Sequence, residues 1–389
     1  MAGSPRRRRI LLVTNLFGWA GAEKQLEHLA AGLARAGHSV VLLALGGRYV
    51  DLGPLEAEGV EVIALGAHGR LGKLRALGAV RRHARRAELV HCTGWDATLW
   101  GRLAAFLARR PAVITEHTPG RDSQVAGTEG RAGARTIAAH NRILDRVTYA
   151  TIAVGAWQRD LLIGEGVRPQ AIVHIPNGVP VSELRARAAQ GPSRASVGVP
   201  EDALVAIQVS RFAPQKGQRV ALAALAGLRQ RLGQDVRLLF VGGGGDEEEV
   251  RREAEESGAG WATFLGFRED VAGLLELADL SVLPSEAEGL PMSLLETVAV
   301  GTPIVATDVG DVRWFLEVTE AGICVPAGDE EAFEEACGRI LGDPALRARL
   351  AAAAGAAAGE FDAARMVRRY EEVFEAAIAA APLPVRLSE

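Results

Sequence analysis

Thirteen short apolar runs, separated by stretches with helical periodicity, follow one another between Ile10 and Val325. No other feature narrows the fold as much. Buried strands with helices between them make parallel sheets covered on both faces. In the first half the runs are Ile10–Thr14, Val40–Leu45, Val60–Leu65, Leu89–Cys92, Ala112–Thr115, Thr151–Val154 and Ala171–Ile175. Helices are predicted between them, among them Glu23–Ala36, which Gly37 closes, and Lys73–Arg86. A polar passage at 181–203, around Gly191-Pro192-Ser193, interrupts the series. It restarts with Leu204–Val209, Val236–Val241, Ala262–Leu265, Leu280–Leu283, Ile304–Thr307 and Gly322–Val325. Two doubly wound, Rossmann-like α/β domains facing a cleft are the expected architecture. A chain of 389 residues has length enough for two cores.

Charge divides along the same line. Residues 1–180 carry 24 Lys+Arg against 14 Asp+Glu, and residues 181–389 carry 20 against 34. A basic half suits an anionic acceptor or lipid head groups, and a solvated surface without a partner accounts for it equally well. Cys92, Cys324 and Cys337 lack metal-ligand spacing and read as small buried side chains in a reducing cytosol. Arg6–Arg9 before an apolar run imitates a secretion signal, but Thr14 and Asn15 break the run, so a first buried strand is expected. No run of about eighteen apolar residues exists that would span a membrane.

The richest segment chemically is Ser285 to Thr307. Seven residues separate Glu288 from Glu296, among them a Gly289-Leu290-Pro291 turn and the start of a short helix. Pro291 suits the first helical turn, where its missing N–H costs nothing. The amides of Gly289, Leu290 and Met292 can then face an anion such as a diphosphate at the positive end of the helix dipole. Two carboxylates beside an anion site suit a ligand with hydroxyls on both sides of a phosphate, as in a nucleotide sugar. The plainer reading is two acids near a helix start, where Glu is common for dipole reasons. In Val209–Gly217, Arg211 and Lys216 lie on the loop after the first strand of the second domain. Cations at the end of a parallel strand would neutralise a diphosphate.

Further candidates are scattered. Gly18–Lys24 is a small-residue loop after the first strand, and Gly21 allows close backbone approach to a sugar or phosphate. It lacks the dinucleotide-binding glycine spacing. His117 follows the strand at Ala112–Thr115, where it would point into the cleft. Asn177-Gly178 is a turn signal at the end of the first domain. Phe264–Phe267 closes a strand, and Val241–Asp246, which looks like a phosphate loop, is a second, weaker cleft contact. No Asp-x-Asp metal motif is apparent, so neither a metal nor a cofactor is expected.

Over nearly its whole length the chain resembles retaining glycosyltransferases of the GT-B fold, family 4 in particular. The resemblance rests on Glu288-x7-Glu296, Arg211…Lys216-Gly217, Gly21-Ala22-Glu23, Glu116-His117 and Pro176-Asn177-Gly178-Val179. It implies an acceptor-side domain at 1–178, a donor domain at 179–361 and a terminal helix, 362–389, crossing back onto the first domain. It implies that Glu288 holds the transferred sugar, Glu296 the ribose, and Arg211 and Lys216 the diphosphate, aided by Gly289–Met292. The backbone at Leu265 would meet the base. Gly21 and His117 would reach the sugar, and Asn177 the cleft. The activity implied is metal-independent hexosyl transfer with retention, from a UDP-linked donor to a lipid-linked or glycan acceptor, in the cytoplasm or at the inner membrane face. Here Val154-Gly155 replaces the family's Val-Ser, and Gly310-Asp311 with Arg313-Trp314 replaces its Gly-Gly and following Pro and Glu. These departures leave the donor sugar open. A nucleotide-sugar epimerase and a non-catalytic nucleotide-sugar-binding protein are the rival readings. For the acceptor, the basic helix Lys73–Arg86, with apolar Leu74, Leu77 and Val80 on its other side, and the polar, Gly-rich segment Gly120–Arg135 are the candidate contacts.

Overall fold

The computed structural model describes residues 6–18, 21–67, 69–117, 141–381 and 383, and only the backbone of 69–71 and 73. The segment Gly120–Arg135 lies outside the described residues, as do Trp19 and Ala20 of the Gly18–Lys24 loop. The chain forms two compact units. One runs to Gly178 and resumes at Ala363; the other is Val179–Asp362.

The first unit is built on seven parallel strands among the described residues. They are β1 (Arg9–Thr14), β2 (Ser39–Ala44), β3 (Glu61–Ala64), β4 (Leu89–Thr93), β5 (Ala112–Glu116), β6 (Ala150–Ala153) and β7 (Ile172–His174), in the order β3-β2-β1-β4-β5-β6-β7. Ile10 stands opposite Val40 on one side and Leu89 on the other. Because side chains alternate along a strand, β1 feeds two cores. Ile10 and Leu12 enter one, Leu11 and Val13 the other.

The second unit repeats the plan with six parallel strands among the described residues. These are β8 (Leu204–Val209), β9 (Val236–Val241), β10 (Ala262–Phe264), β11 (Leu280–Leu283), β12 (Ile304–Thr307) and β13 (Gly322–Val325), ordered β10-β9-β8-β11-β12-β13. Ala206 faces one core, Val205 and Ile207 the opposite one. All thirteen strands begin and end within one residue of the apolar runs in the sequence.

Helices complete the layers. In Gly21–Arg35 the buried side chains are Gln25, Leu26, Leu29, Ala30 and Leu33, a single stripe at helical spacing. The last helix, Ala363–Ala379, buries Met366, Val367, Tyr370, Val373, Phe374 and Ala377 in the same core as that stripe. Each large side chain so buried stabilises the fold by about 1.5–3 kcal/mol. Polar ties add direction: Arg8 Nε donates to Glu375 at 2.7 Å, and His38 Nε2 lies 2.8 Å from Glu371. The helix Gly69–Arg86 departs from expectation at one side chain. Leu74, assigned to its apolar side, is 57% exposed, on the face that carries Arg75, Arg82, Arg85 and Arg86. The buried stripe runs instead through Ala76, Val80 and Ala84 at a spacing of four.

Candidate active site

In the second sheet the chain runs outward from β8 to β9 and β10, then returns to the other side of β8 as β11. The loops after β8 and β11 therefore diverge and leave a crevice at the strands' C-terminal ends. Ser210–Gly217 lines one wall and Pro284–Pro291 the other. Across it, Lys216 Nζ donates to Glu288 Oε1 at 2.6 Å, and Ser285 Oγ donates to the same oxygen at 2.8 Å. The two charged side chains are only 17% and 8% exposed. The walls are also joined by backbone, with Glu286 N donating to Gln215 O at 2.8 Å. Gly217 makes this approach possible. Its φ is +65°, and a Cβ there would lie 2.0 Å from Pro284 O.

Beneath Glu288 a third loop supports the turn. Thr307 Oγ1 donates to Leu283 O at 3.3 Å and also to Ser285 O. Gly310, at φ +56°, would place a Cβ 2.4 Å from the carbonyls of both Glu288 and Gly289. Asp311 N donates to Gly289 O at 3.0 Å. The departure of this loop from the family pattern thus sits directly against the Glu288 turn, and Arg313 there is held by Asp308 at 2.6 and 2.8 Å.

The helix after the turn is Met292–Val300 and Pro291 is its N-cap, with an extended ψ of 134°. This corrects the placement of Pro291 inside the first turn: the cap residue takes extended backbone, and proline's fixed φ fits it as well. Leu290 is buried, Gly289 and Met292 are partly exposed, and Glu296 is half-buried on the second helical turn. Arg211 is exposed on the opposite loop. Leu265 closes β10, its N–H donating to Phe240 O at 2.9 Å. The Gly-rich segment after β9 packs its backbone on the Arg211 loop, with Phe212 N donating to Gly243 O at 3.1 Å. That contact supports the loop. So Arg211, Lys216, Leu265, Glu288–Met292 and Glu296 share one edge of one sheet, and Lys216 and Glu288 touch.

Gly21, His117 and Asn177 belong to the first unit, each past the C-terminal end of a strand. Gly21 opens the helix Gly21–Arg35. His117 follows β5; burial pushes its imidazole down to about 4, so it is neutral near pH 7. Its Nε2 is shielded from solvent and has no hydrogen-bond partner among the described residues. Next to it, burial pushes Glu116 up to about 7 against the pull of Arg102. Asn177 is buried, and Gly178 beside it packs against Ala363 and Met366 of the terminal helix.

Comparison with known proteins decides the family. Residues 190–356 match the model for glycosyl transferases group 1, and residues 20–178 that for a glycosyl transferase 4-like domain. A phosphatidyl-myo-inositol mannosyltransferase of Mycolicibacterium smegmatis is 30% identical over 373 residues, 92% of each chain. The chain belongs to glycosyl transferases group 1, family 4. This glycosyltransferase is also 28% identical to a D-inositol 3-phosphate glycosyltransferase of Streptomyces bingchenggensis, over 81% of this chain and 72% of that one. Among solved structures, HepE of Anabaena in complex with UDP and glucose has a TM-score of 0.80 at 23% identity, covering 95% of this chain and all of the other. That likeness establishes the GT-B fold class.

Several residues of the glycosyltransferase's edges were not singled out from its sequence. Gln208 and Gln218 lie buried under the Arg211–Lys216 loop. In the first unit Asn15, just past β1, ties to the loop after β2 and to the helix Trp95–Ala108 that follows β4: its carbonyl accepts from Gly46 N at 2.7 Å and its Oδ1 from Ala97 N at 2.8 Å. Behind His117 runs a buried chain. Gln25 donates to the Tyr370 hydroxyl at 3.0 Å, that hydroxyl lies 2.9 Å from Thr115 Oγ1, and Thr115 Oγ1 lies 2.8 Å from His91 Nε2. The one signal for these residues is polarity inside otherwise apolar runs. No helix among the described residues is long and apolar enough to cross a membrane.

Proposed function

We propose that this glycosyltransferase moves a hexosyl group, with retention, from a UDP-linked donor to a hydroxyl of a lipid-linked or glycan acceptor. The observation that carries the proposal is the Lys216–Glu288 contact at the switch point of the second sheet, with Arg211 on the same loop. Cations there meet the charge that grows on a departing diphosphate, and preset charge of this kind is commonly the largest catalytic term. On this reading Arg211 and Lys216 hold the diphosphate with the amides of Gly289–Met292, and no metal is required. Glu296 takes the ribose hydroxyls, Glu288 the hydroxyls of the transferred sugar, and Leu265 the base. The acceptor oxygen bonds to the anomeric carbon on the face that the diphosphate leaves. The carbon–oxygen bond to phosphate breaks, and the acceptor's proton passes to the departing phosphate oxygen. Gly21, His117 and Asn177 keep the roles that the family resemblance implies.

UDP is favoured because a protein of this fold, HepE, has been crystallised with UDP and UDP-glucose. A membrane-borne acceptor is favoured because a relative acts on phosphatidyl-myo-inositol by name. The exposed face of Gly69–Arg86, with Leu74 among Arg75, Arg82, Arg85 and Arg86, suits anionic head groups. That would place the enzyme on the cytoplasmic face of a membrane.

The test is binding and slow hydrolysis of UDP-, GDP- and ADP-sugars by the wild type, Glu296→Ala and Lys216→Ala, with and without chelator. Release of UDP alone, unaffected by chelator and lost in both variants, is the expected result. An epimerase would instead interconvert sugars without an acceptor, and a binding protein would bind without turnover. For the membrane contact, retention on anionic liposomes at low salt is expected; none at any salt removes it.

A further inference from the structure

The loop Ser210–Gly217 carries both proposed diphosphate ligands, and its only regular structure is a single 3₁₀ turn at Pro214–Lys216, which leaves other carbonyls turned inward. Two of these, Arg211 O and Lys216 O, lie near its ends. Each is met by the carboxamide of a buried glutamine. Gln218, first residue of the next helix, donates through Nε2 to Arg211 O at 2.8 Å. Gln208, in the penultimate position of β8, donates through Nε2 to Lys216 O at 2.7 Å. A carboxamide nitrogen has two protons. The second proton of each goes to one shared atom, Ser210 Oγ, at 3.3 Å from Gln208 and 3.1 Å from Gln218. Both glutamines are almost fully buried, so no water competes for these bonds.

We propose that Gln208, Gln218 and Ser210 form a clamp that presets the loop, so that Arg211 and Lys216 are held ready for a diphosphate. None of the three is assigned contact with the ligand; they are positioning residues. The clamp rests on the reading of Arg211 and Lys216 as diphosphate ligands. Its physical content is preorganisation: a loop already held in its bound form loses little freedom on binding. The clamp therefore acts on the phosphate part of the ligand and leaves recognition of the nucleoside alone.

The experiment is calorimetric titration of the whole chain with UDP, GDP and ADP, each against its parent nucleoside. Wild type, Lys216→Ala, Gln208→Met, Gln218→Met, Ser210→Ala and Ser210→Thr are compared. Methionine keeps the length of glutamine without its donors. Each Met variant loses two buried hydrogen bonds and is expected to weaken the bound nucleoside diphosphate by about tenfold or more, and its nucleoside by less than about twofold. Ser210→Ala is expected to give a smaller loss, which Ser210→Thr restores. Amide exchange should quicken in 211–217 and not across the sheet. Diphosphate and nucleoside weakening together would mean general loosening and overturn the clamp, as would unchanged diphosphate affinity. If the Met variants fail to fold, the Ser210→Ala and Ser210→Thr pair decides by the same ratio. Where wild type binds and Lys216→Ala does not, unchanged affinity in the clamp variants sinks the clamp alone. If wild type binds none of the three, the diphosphate reading falls and the clamp with it.

Discussion

At the edge of the second sheet, charged groups come in contact: Lys216 with Glu288, and Arg313 with Asp308 beside them. At the edge of the first, His117 and Glu116 stand half-buried with their charges suppressed, and His91 behind them is fully buried and pushed down to about 3. The same architecture thus makes two chemically different edges. A carboxylate and an ammonium can be kept nearly out of water when each has the other, whereas a lone imidazole responds to burial by giving up its proton. A paired edge suits a ligand that brings charge of its own. An edge of neutral donors and acceptors suits hydroxyl groups, which can be matched without desolvating an ion.

The largest break in that contrast should come from Lys216→Ala. It removes a proposed diphosphate ligand and leaves the Glu288 carboxylate, only 8% exposed, without its cation. Turnover of the donor is expected to fall at least about a hundredfold. Glu288→Gln, which keeps the shape, tests the second half of the claim. If removing Lys216 harms only through the stranded carboxylate, the double variant is no worse than Glu288→Gln alone. If the cation itself serves the diphosphate, the double variant falls well below Glu288→Gln, and steady-state kinetics of donor hydrolysis decides.

Acid should then separate the two edges. His91, His117 and His174 are all pushed by burial below the ordinary value of 6.5, to about 3, 4 and 4. Their unfolded forms take up protons near 6.5 while the folded forms do not, so the stability they lend is complete above that pH and is lost as pH falls toward 4. For fully buried His91 the slope is about 1.4 kcal/mol per pH unit. Glu116, raised to about 7 from 4.5, runs the other way: its contribution is present below 4.5 and fades as pH rises through 7. Burial also raises Glu23 and Glu165, which act in the same sense as Glu116. Of these groups His91 is displaced furthest from its ordinary value, and His117 and His174 act with it, so the first unit is expected to be less stable on acidification. Urea unfolding from pH 7 to 4 should show the loss, and His91→Gln should flatten it. A flat profile in the wild type would mean that these rings are charged in the folded state.

The Tyr370 hydroxyl offers a way to sharpen the contrast. Tyr370→Phe strips the buried chain Gln25–Tyr370–Thr115–His91 of its middle member. About 1–3 kcal/mol of stability should go, because Gln25 and Thr115 lose a buried partner. Nucleotide affinity, which the proposal assigns to the other unit, should stay within about twofold of wild type if the paired edge works by itself. A parallel loss of UDP binding would show that the two edges are coupled.

These regions were not equally open to sequence reasoning. The strands could be read almost to the residue, because a strand buried on both faces is a bare apolar run such as Val236–Val241. The charged groups of the second edge stood out for the opposite reason: Lys216 and Glu288 are polar residues just past such runs. That they touch depends on β11 returning beside β8, a pairing across 72 residues that no local pattern contains. Gln208 sits within an apolar strand, and Tyr370 within an amphipathic stripe where a hydroxyl reads as one more large side chain. What makes them matter is a partner from another element. Leu74 misleads for a related reason, since the helix buries Ala76, Val80 and Ala84, packs Leu77 partly against the same core and leaves Leu74 outside.

The smallest effect predicted concerns the loop where this chain leaves its family's pattern. Arg313 is about half exposed and held by Asp308 at 2.6 Å, so Arg313→Ala should change stability by less than about 1 kcal/mol. Its position is the informative part. Gly310 and Asp311 of the same loop pack against the Glu288–Gly289 turn, which the proposal places beside the transferred sugar. If the loop shapes the sugar pocket, Arg313→Ala should alter the ratio of kcat/KM between two UDP-sugars while UDP affinity stays as it was. An unchanged ratio would confine the Asp308–Arg313 pair to the surface. The paired character of this edge would then rest on Lys216 and Glu288, with the choice of sugar lying with Glu288 and the turn that carries it.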